Sequence, residues 1–85
     1  MRISQNQQVG KVQLFGYLET GEVHKIQFFD FDDNLILEAG YDIAGPQITS
    51  TFALERFERL IGIQFTPVRG KTPRKENFSL IIGHV

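Results

Sequence analysis

Acidic and amide side chains cluster between Asp30 and Asn34, and their spacing is the first in this sequence that could support chemistry. Asp30, Asp32 and Asn34 place oxygen ligands at alternate positions, as the opening of a calcium-binding loop does. The pattern then fails, because Leu35 stands where that loop needs glycine and Tyr41 stands where it needs a bidentate glutamate. The cluster therefore indicates a turn in which Asp and Asn side chains cap backbone amides, with a weak cation site as the alternative.

Recognisable catalytic arrangements are missing from the sequence. His24 and His84 have no cysteine or second histidine at zinc-ligand spacing, and the chain contains no cysteine. The three serines, Ser4, Ser50 and Ser79, lack the glycine-flanked turn of a nucleophile elbow. We therefore expect a non-enzymatic protein with no metal site and no cofactor.

Four basic side chains lie in the irregular segment 66–77: Arg69, Lys71, Arg74 and Lys75. Such a loop could contact phosphates, and each neutralised phosphate would make binding more sensitive to salt. The loop has no aromatic side chain on which a base could stack, and the whole chain carries a net charge of −1. A solvated connector is therefore the favoured interpretation, with phosphate or nucleic-acid binding by residues 69–75 as an alternative.

Length and composition predict one domain over residues 1–85. The absence of cysteine excludes a disulfide framework, and the first twenty residues lack the apolar stretch of a signal peptide. A cytoplasmic location is the resulting expectation. No apolar run approaches the ~20 residues that a membrane-spanning helix needs, so no membrane association is predicted.

Alternation of apolar and polar residues predicts six β-strands with almost no helix. A strand without alternation is typical of a buried central position, and this applies to residues 60–65; residues 78–85 are likewise predicted to form a buried closing strand. The fold class is therefore all-β, a small antiparallel β-prism or β-sandwich of about six to eight strands. The predicted strands cover residues 9–18, 22–31, 35–39, 47–54, 60–65 and 78–85.

The first predicted hairpin has one register that buries only apolar groups. If a three-residue loop ends at Gly21 in the left-handed conformation, Val12 pairs with Phe28 and Leu14 pairs with Ile26. A two-residue loop would bring polar side chains onto this face without partners, which costs free energy. In the next hairpin an even-length loop places Leu35, Leu37 and Ala39 on the same apolar face.

The opposite face of these strands is also rich in apolar residues, more so than is usual for the solvated face of an antiparallel sheet. We call its candidate interface residues the aromatic stripe: Phe15, Tyr17, Phe29, Phe31 and Ile36, with Val23 on the same face. The leading hypothesis is an interaction module that binds a second copy or a protein partner through this stripe. The alternative is that a second sheet from residues 47–85 covers it.

From Val23 onward the order of segments resembles the jacalin-related lectins. The likeness rests on VHKIQFFDFDDN at 23–34, a Gly/Pro loop at 40–46, Phe-Ala-Leu at 52–54, ERLIGI at 58–63 and FSLIIG at 78–83. The resemblance implies a β-prism fold and, as an alternative function, carbohydrate binding. The candidates to hold sugar hydroxyls in that case are polar loop groups of this chain: Asp32, Asp33, Asn34, Tyr41 and Asp42.

Two departures from the lectin pattern affect the sugar site. The glycine-rich N-terminal segment of the family is absent, since this chain begins MRISQNQQ, and the family's aspartate just before the final strand is replaced by hydroxyl and apolar groups around Phe78 to Leu80. No sugar-binding residue is therefore carried over from the family, and the resemblance extends to the scaffold.

Overall fold

The computed structural model of the protein describes residues 8–45, 47–66 and 72–84. These residues form six β-strands and one short 3₁₀ turn, Lys75–Asn77, with no α-helix among them. No helix in this part of the chain has the length and apolar character needed to cross a membrane. The strands are β1 Val9–Tyr17, β2 Glu22–Asp30, β3 Leu35–Gly40, β4 Gln47–Ala53, β5 Glu58–Phe65 and β6 Phe78–His84.

The strands form two antiparallel sheets of unequal size. The large sheet has the order β3-β2-β1-β4, and the small sheet consists of β5 and β6. One apolar core lies between them, so the predicted all-β class is confirmed in a form compatible with a small sandwich or prism. The buried core residues are Val9, Val12, Leu14, Val23, Phe28, Leu54 and Leu60.

The predicted register of the first hairpin is confirmed. Val12 lies opposite Phe28 and Leu14 lies opposite Ile26, and Gly21 has the expected positive φ of 74°. The loop is one residue longer than predicted, because a β-bulge at His24 shifts the pairing near the turn. The bulge also turns Val23, the residue before it, to the opposite face of the sheet. Val23 is therefore a core residue, and its predicted position beside the aromatic stripe is wrong.

In the second hairpin the predicted apolar face is confirmed for two residues, and the strand pairing shifts by one residue near the turn. Leu37 lies opposite Phe28 and Ala39 lies opposite Ile26, so both lie on the predicted apolar face. An extra residue, Ile36, then interrupts the pairing. Leu35 consequently lies opposite Phe29 and is exposed, whereas Ile36 packs against the core, so the predicted positions of both residues are wrong.

A bulge also alters β4. Thr49 is the extra residue between the pairs Leu14–Ser50 and Phe15–Ile48. Its hydroxyl is buried and donates a hydrogen bond of 3.1 Å to the carbonyl oxygen of Leu14. The even spacing of Ile48, Phe52 and Leu54 in the sequence predicts one shared apolar face. The bulge moves Ile48 off this face, and Ile48 is exposed.

The small sheet differs most from prediction. β5 is not a central strand, because within the described residues β6 is its single neighbour, and β6 is not fully buried. Leu60, Ile63, Phe78 and Leu80 cover the core face of the large sheet. The alternative that residues 47–85 form a sheet over the aromatic stripe is therefore wrong, since β4 joins the large sheet and β5–β6 pack on its other face.

Candidate functional site

Two rings of the aromatic stripe lie beneath lysine side chains. The ammonium of Lys25 is 5.1 Å from the ring centre of Phe15, and that of Lys11 is 4.7 Å from the ring centre of Phe29. Both rings are half-buried. This cation–π packing places a solvated charge where an apolar partner would have to bind.

Carboxylates hold these two lysines in place. Lys11 Nζ lies 2.9 Å from Asp33 Oδ1, and Lys25 Nζ lies 2.6 Å from Asp42 Oδ1. The hydrogen bond to Asp42 raises the pKa of Lys25 above its ordinary value. Two predicted ligand-loop residues, Asp33 and Asp42, are therefore paired with lysines in the described structure.

A polar row separates the two covered rings. Gln13 lies opposite Gln27, which lies opposite Glu38 on the neighbouring strand. The amide of Gln27 donates a hydrogen bond of 2.6 Å to the carboxylate of Glu38. This face of the large sheet therefore alternates between covered rings and polar pairs, and it does not form one continuous apolar surface.

The remaining stripe residues are dispersed. Tyr17 is exposed and meets the His24 ring edge-on at 5.4 Å. Phe31 follows β2, and the guanidinium of Arg56 lies 4.8 Å from its ring centre. Ile36 belongs to the margin of the core, so the structure does not bring the five predicted residues into one patch.

His24 lies in a polar cluster that was not predicted as a site. Its Nδ1 lies 3.1 Å from the hydroxyl of Tyr41, and its Nε2 lies 3.5 Å from a carboxylate oxygen of Glu22. The latter is an ion-pair distance without hydrogen-bond geometry, so the buried Nε2 has no hydrogen-bond partner among the described residues. No group of three or more acidic or histidine side chains in the described ranges could hold a metal ion.

The turn after β2 is organised by Asp30. One of its carboxylate oxygens accepts hydrogen bonds from the backbone amides of Asp32 and Asn34, at 2.9 and 2.8 Å. Asp33 adopts a left-handed φ of 64° at the tip. The predicted turn chemistry is therefore present, and the hydrogen bonds, chiefly from Asn34, lower the pKa of Asp30 below its ordinary 3.8.

We expect Asp30→Asn to lower the free energy of unfolding at neutral pH. We also expect this free energy to change less between neutral and acidic pH than it does in the parent chain. The pKa of Asp30 is lower in the folded than in the unfolded chain, so its carboxylate stabilises the fold at pH values above 3.8. This stabilisation is lost as the pH falls through the folded pKa. Urea denaturation of both proteins at neutral and acidic pH measures the effect. Asp32→Asn is the control, since the Asp32 carboxylate accepts no hydrogen bond from a described residue. Equal pH profiles for the parent chain and Asp30→Asn would contradict the expectation.

The predicted sugar-binding loops lie apart. The turn at 32–34 precedes β3, whereas Tyr41 and Asp42 follow it. Six extended residues span about 20 Å, which is too far for one sugar ring to contact both groups. The structure therefore does not unite these five residues into a single site.

Half of the predicted basic loop can be located. Arg69 and Lys71 lie outside the described residues, whereas Arg74 forms an isolated β-bridge with Glu22. The amide of Lys75 donates a hydrogen bond of 2.9 Å to the carbonyl oxygen of Gly21. The described end of this loop is therefore hydrogen-bonded to the first hairpin, while Arg74 and Lys75 are both exposed.

The small sheet carries exposed apolar side chains that were not predicted, and they lie on both of its faces: Ile82 is opposite the core residue Leu60, whereas Ile81 lies on the outer face. Ile61 is 62% exposed, Ile81 is 44% exposed, and Phe57, just before β5, is 58% exposed. The signal was the apolar run at 60–65, which was assigned to a buried strand. We call the exposed large apolar residues on or beside β5–β6 the hairpin surface: Phe57, Ile61, Phe65, Ile81 and Ile82.

No family model, curated protein or solved structure matches this chain. The resemblance to jacalin-related lectins consequently stays a prediction.

Proposed function

We propose that this chain is a non-enzymatic interaction module that associates with a second copy of itself through the small sheet. The observation that carries the proposal is the hairpin surface, which holds five of the ten large apolar side chains exposed in the described part of the chain. Clustered exposed apolar groups are typical of protein interaction sites, whereas single ones are ordinary.

The hairpin surface supports association better than the aromatic stripe does. The rings of Phe15 and Phe29 already contact lysine side chains, so a partner would have to displace charges that are paired with carboxylates. Ile81 and Ile82 have no such cover and would lose contact with water on binding. The proposed interface therefore lies on the small sheet.

The other two binding functions have less support. A carbohydrate site would need the groups at the two ends of β3 to act together, and they are about 20 Å apart. A phosphate site at the basic loop would need a convergent group of cations, whereas the described part of the loop supplies Arg74 and Lys75 with the carboxylate of Glu76 directly after them. We therefore rank self-association first.

Light scattering over a range of concentrations tests the proposal. We expect the mass to rise from the 9.7 kDa of one chain to twice that value as the protein is concentrated. Phe29→Gln, which removes a ring of the aromatic stripe, is expected to leave this behaviour unchanged. A mass that stays at one chain throughout would refute self-association, and loss of the dimer in Phe29→Gln would return the interface to the stripe.

A further inference from the structure

Among the described strands, β6 is the one edge strand without a structural feature that discourages pairing with another strand. Edge strands are commonly protected by bulges, charges or proline. The other three edge strands each contain a bulge, at Ile36 in β3, at Thr49 in β4 and at Ile61 in β5. β6 has the sequence FSLIIGH, with no bulge, no proline, no lysine and no acidic residue.

One end of β6 also projects beyond the core. Leu60 and Ile82 lie directly opposite each other in the small sheet. Leu60 is only 5% exposed, whereas Ile82 is 39% exposed. At this pair β5 therefore packs on the core, whereas β6 lies beyond the edge of the core. Space is left beside the carboxyl-terminal half of β6.

We propose that β6 pairs antiparallel with β6 of a second copy, about a two-fold axis at Ile81, which joins two small sheets into one four-stranded sheet. This inference rests on the proposed self-association and names its interface. Its partner is a second copy because a neutral strand meets no like charge in its own image, whereas β5 carries Glu58 and Arg59. A two-stranded sheet is only marginally stable alone, and pairing would double its strands.

Ile81 is the central residue of β6, so a two-fold axis there pairs the whole strand with its copy. All seven residues then have a partner, and side chains of one face meet side chains of the same face. Leu80 lies opposite Ile82 of the second copy on the core side, and the two copies of Ile81 meet on the outer side. The exposed parts of Ile81 and Ile82 would be buried by this contact.

Disulfide cross-linking can test the register, because the chain contains no cysteine. In Ile81→Cys the two new thiols would lie opposite each other with Cβ atoms about 4.5–5.5 Å apart, close enough to oxidise with a small adjustment. Ile61→Cys is the matched control, since it puts a more exposed thiol on the adjacent strand. We expect about tenfold more covalent dimer from Ile81→Cys under mild oxidation, because disulfide geometry is demanding.

The outcomes separate this inference from the proposed function. Preferential cross-linking of Ile81→Cys supports β6 pairing. A parent chain that dimerises by light scattering while both cysteine variants cross-link equally would overturn the β6 interface but leave self-association standing. Ile81→Lys offers a second test, because a lysine on an edge strand opposes pairing; it should stay monomeric at concentrations where Ile61→Lys dimerises, and a dimer in both would also overturn the inference.

Discussion

Replacement of Phe28 by alanine is expected to lower the free energy of unfolding by about 3–5 kcal/mol, the usual cost of removing a buried aromatic ring. Phe28 is 1% exposed and is one of the three largest fully buried side chains. It lies opposite both Val12 and Leu37, at the centre of the large sheet. Its removal leaves a cavity that the flanking strands cannot close without breaking their pairing.

The effect should be large relative to the total stability. A domain of 85 residues has a free energy of unfolding of about 4–13 kcal/mol by the usual per-residue range. Urea denaturation followed by circular dichroism measures the change. Phe57→Ala is the matched control, since it removes the same type of ring from a position that is 58% exposed. Its loss should lower the free energy of unfolding by about 0.5 kcal/mol or less. Equal losses in the two variants would mean that Phe28 is not at the centre of the core.

The sequence was sufficient to predict the strands and much of the pairing. Burying only apolar groups left one register for the first hairpin, so the Val12–Phe28 and Leu14–Ile26 pairs were correctly predicted. The β-bulges were not predicted, because a bulge inserts one residue without altering local composition. Each error of face in the large sheet, at Val23, Leu35, Ile36 and Ile48, follows from one of these insertions.

The same register already indicates that lysine side chains cover part of the aromatic stripe. The pairing that places Val12 opposite Phe28 also places Lys25 opposite Phe15 and Lys11 opposite Phe29. The lysine cover over both rings could therefore have been anticipated from cross-strand neighbours. The ion pairs that fix the lysines could not, because Asp33 and Asp42 lie in loops whose positions depend on the turns.

The hairpin surface could not be predicted, for a different physical reason. Whether an apolar strand is central or at an edge depends on which strands pair with it, and no local pattern records that choice. The run at 60–65 suits a buried strand equally well, yet β5 pairs with β6 alone among the described strands. Exposure of Ile61 and Ile81 is thus a consequence of topology.

Two glycine-to-alanine substitutions should change stability in opposite directions. Gly16 is buried in β1, and a methyl group added there would overlap the carbonyl oxygen of Glu22 on the adjacent strand. Backbone atoms in a paired strand cannot move aside as a flexible side chain can. We expect Gly16→Ala to lower the free energy of unfolding by about 3 kcal/mol, the upper part of the range for overpacking.

Gly62 provides the matched comparison, because it also lies within a strand. Apart from its two chain neighbours, no described residue has an atom within 4 Å of the position that the added methyl group would occupy, and the φ of Gly62 is outside the left-handed range. Alanine reduces the freedom of the unfolded chain, so Gly62→Ala should raise the free energy of unfolding by about 0.4–1 kcal/mol. Thermal and urea denaturation of both variants measure the difference. A stable Gly16→Ala protein would mean that β1 and β2 are not as close near the turn as the His24 bulge requires, and destabilisation by Gly62→Ala would show that β5 needs glycine for a contact beyond the single chain.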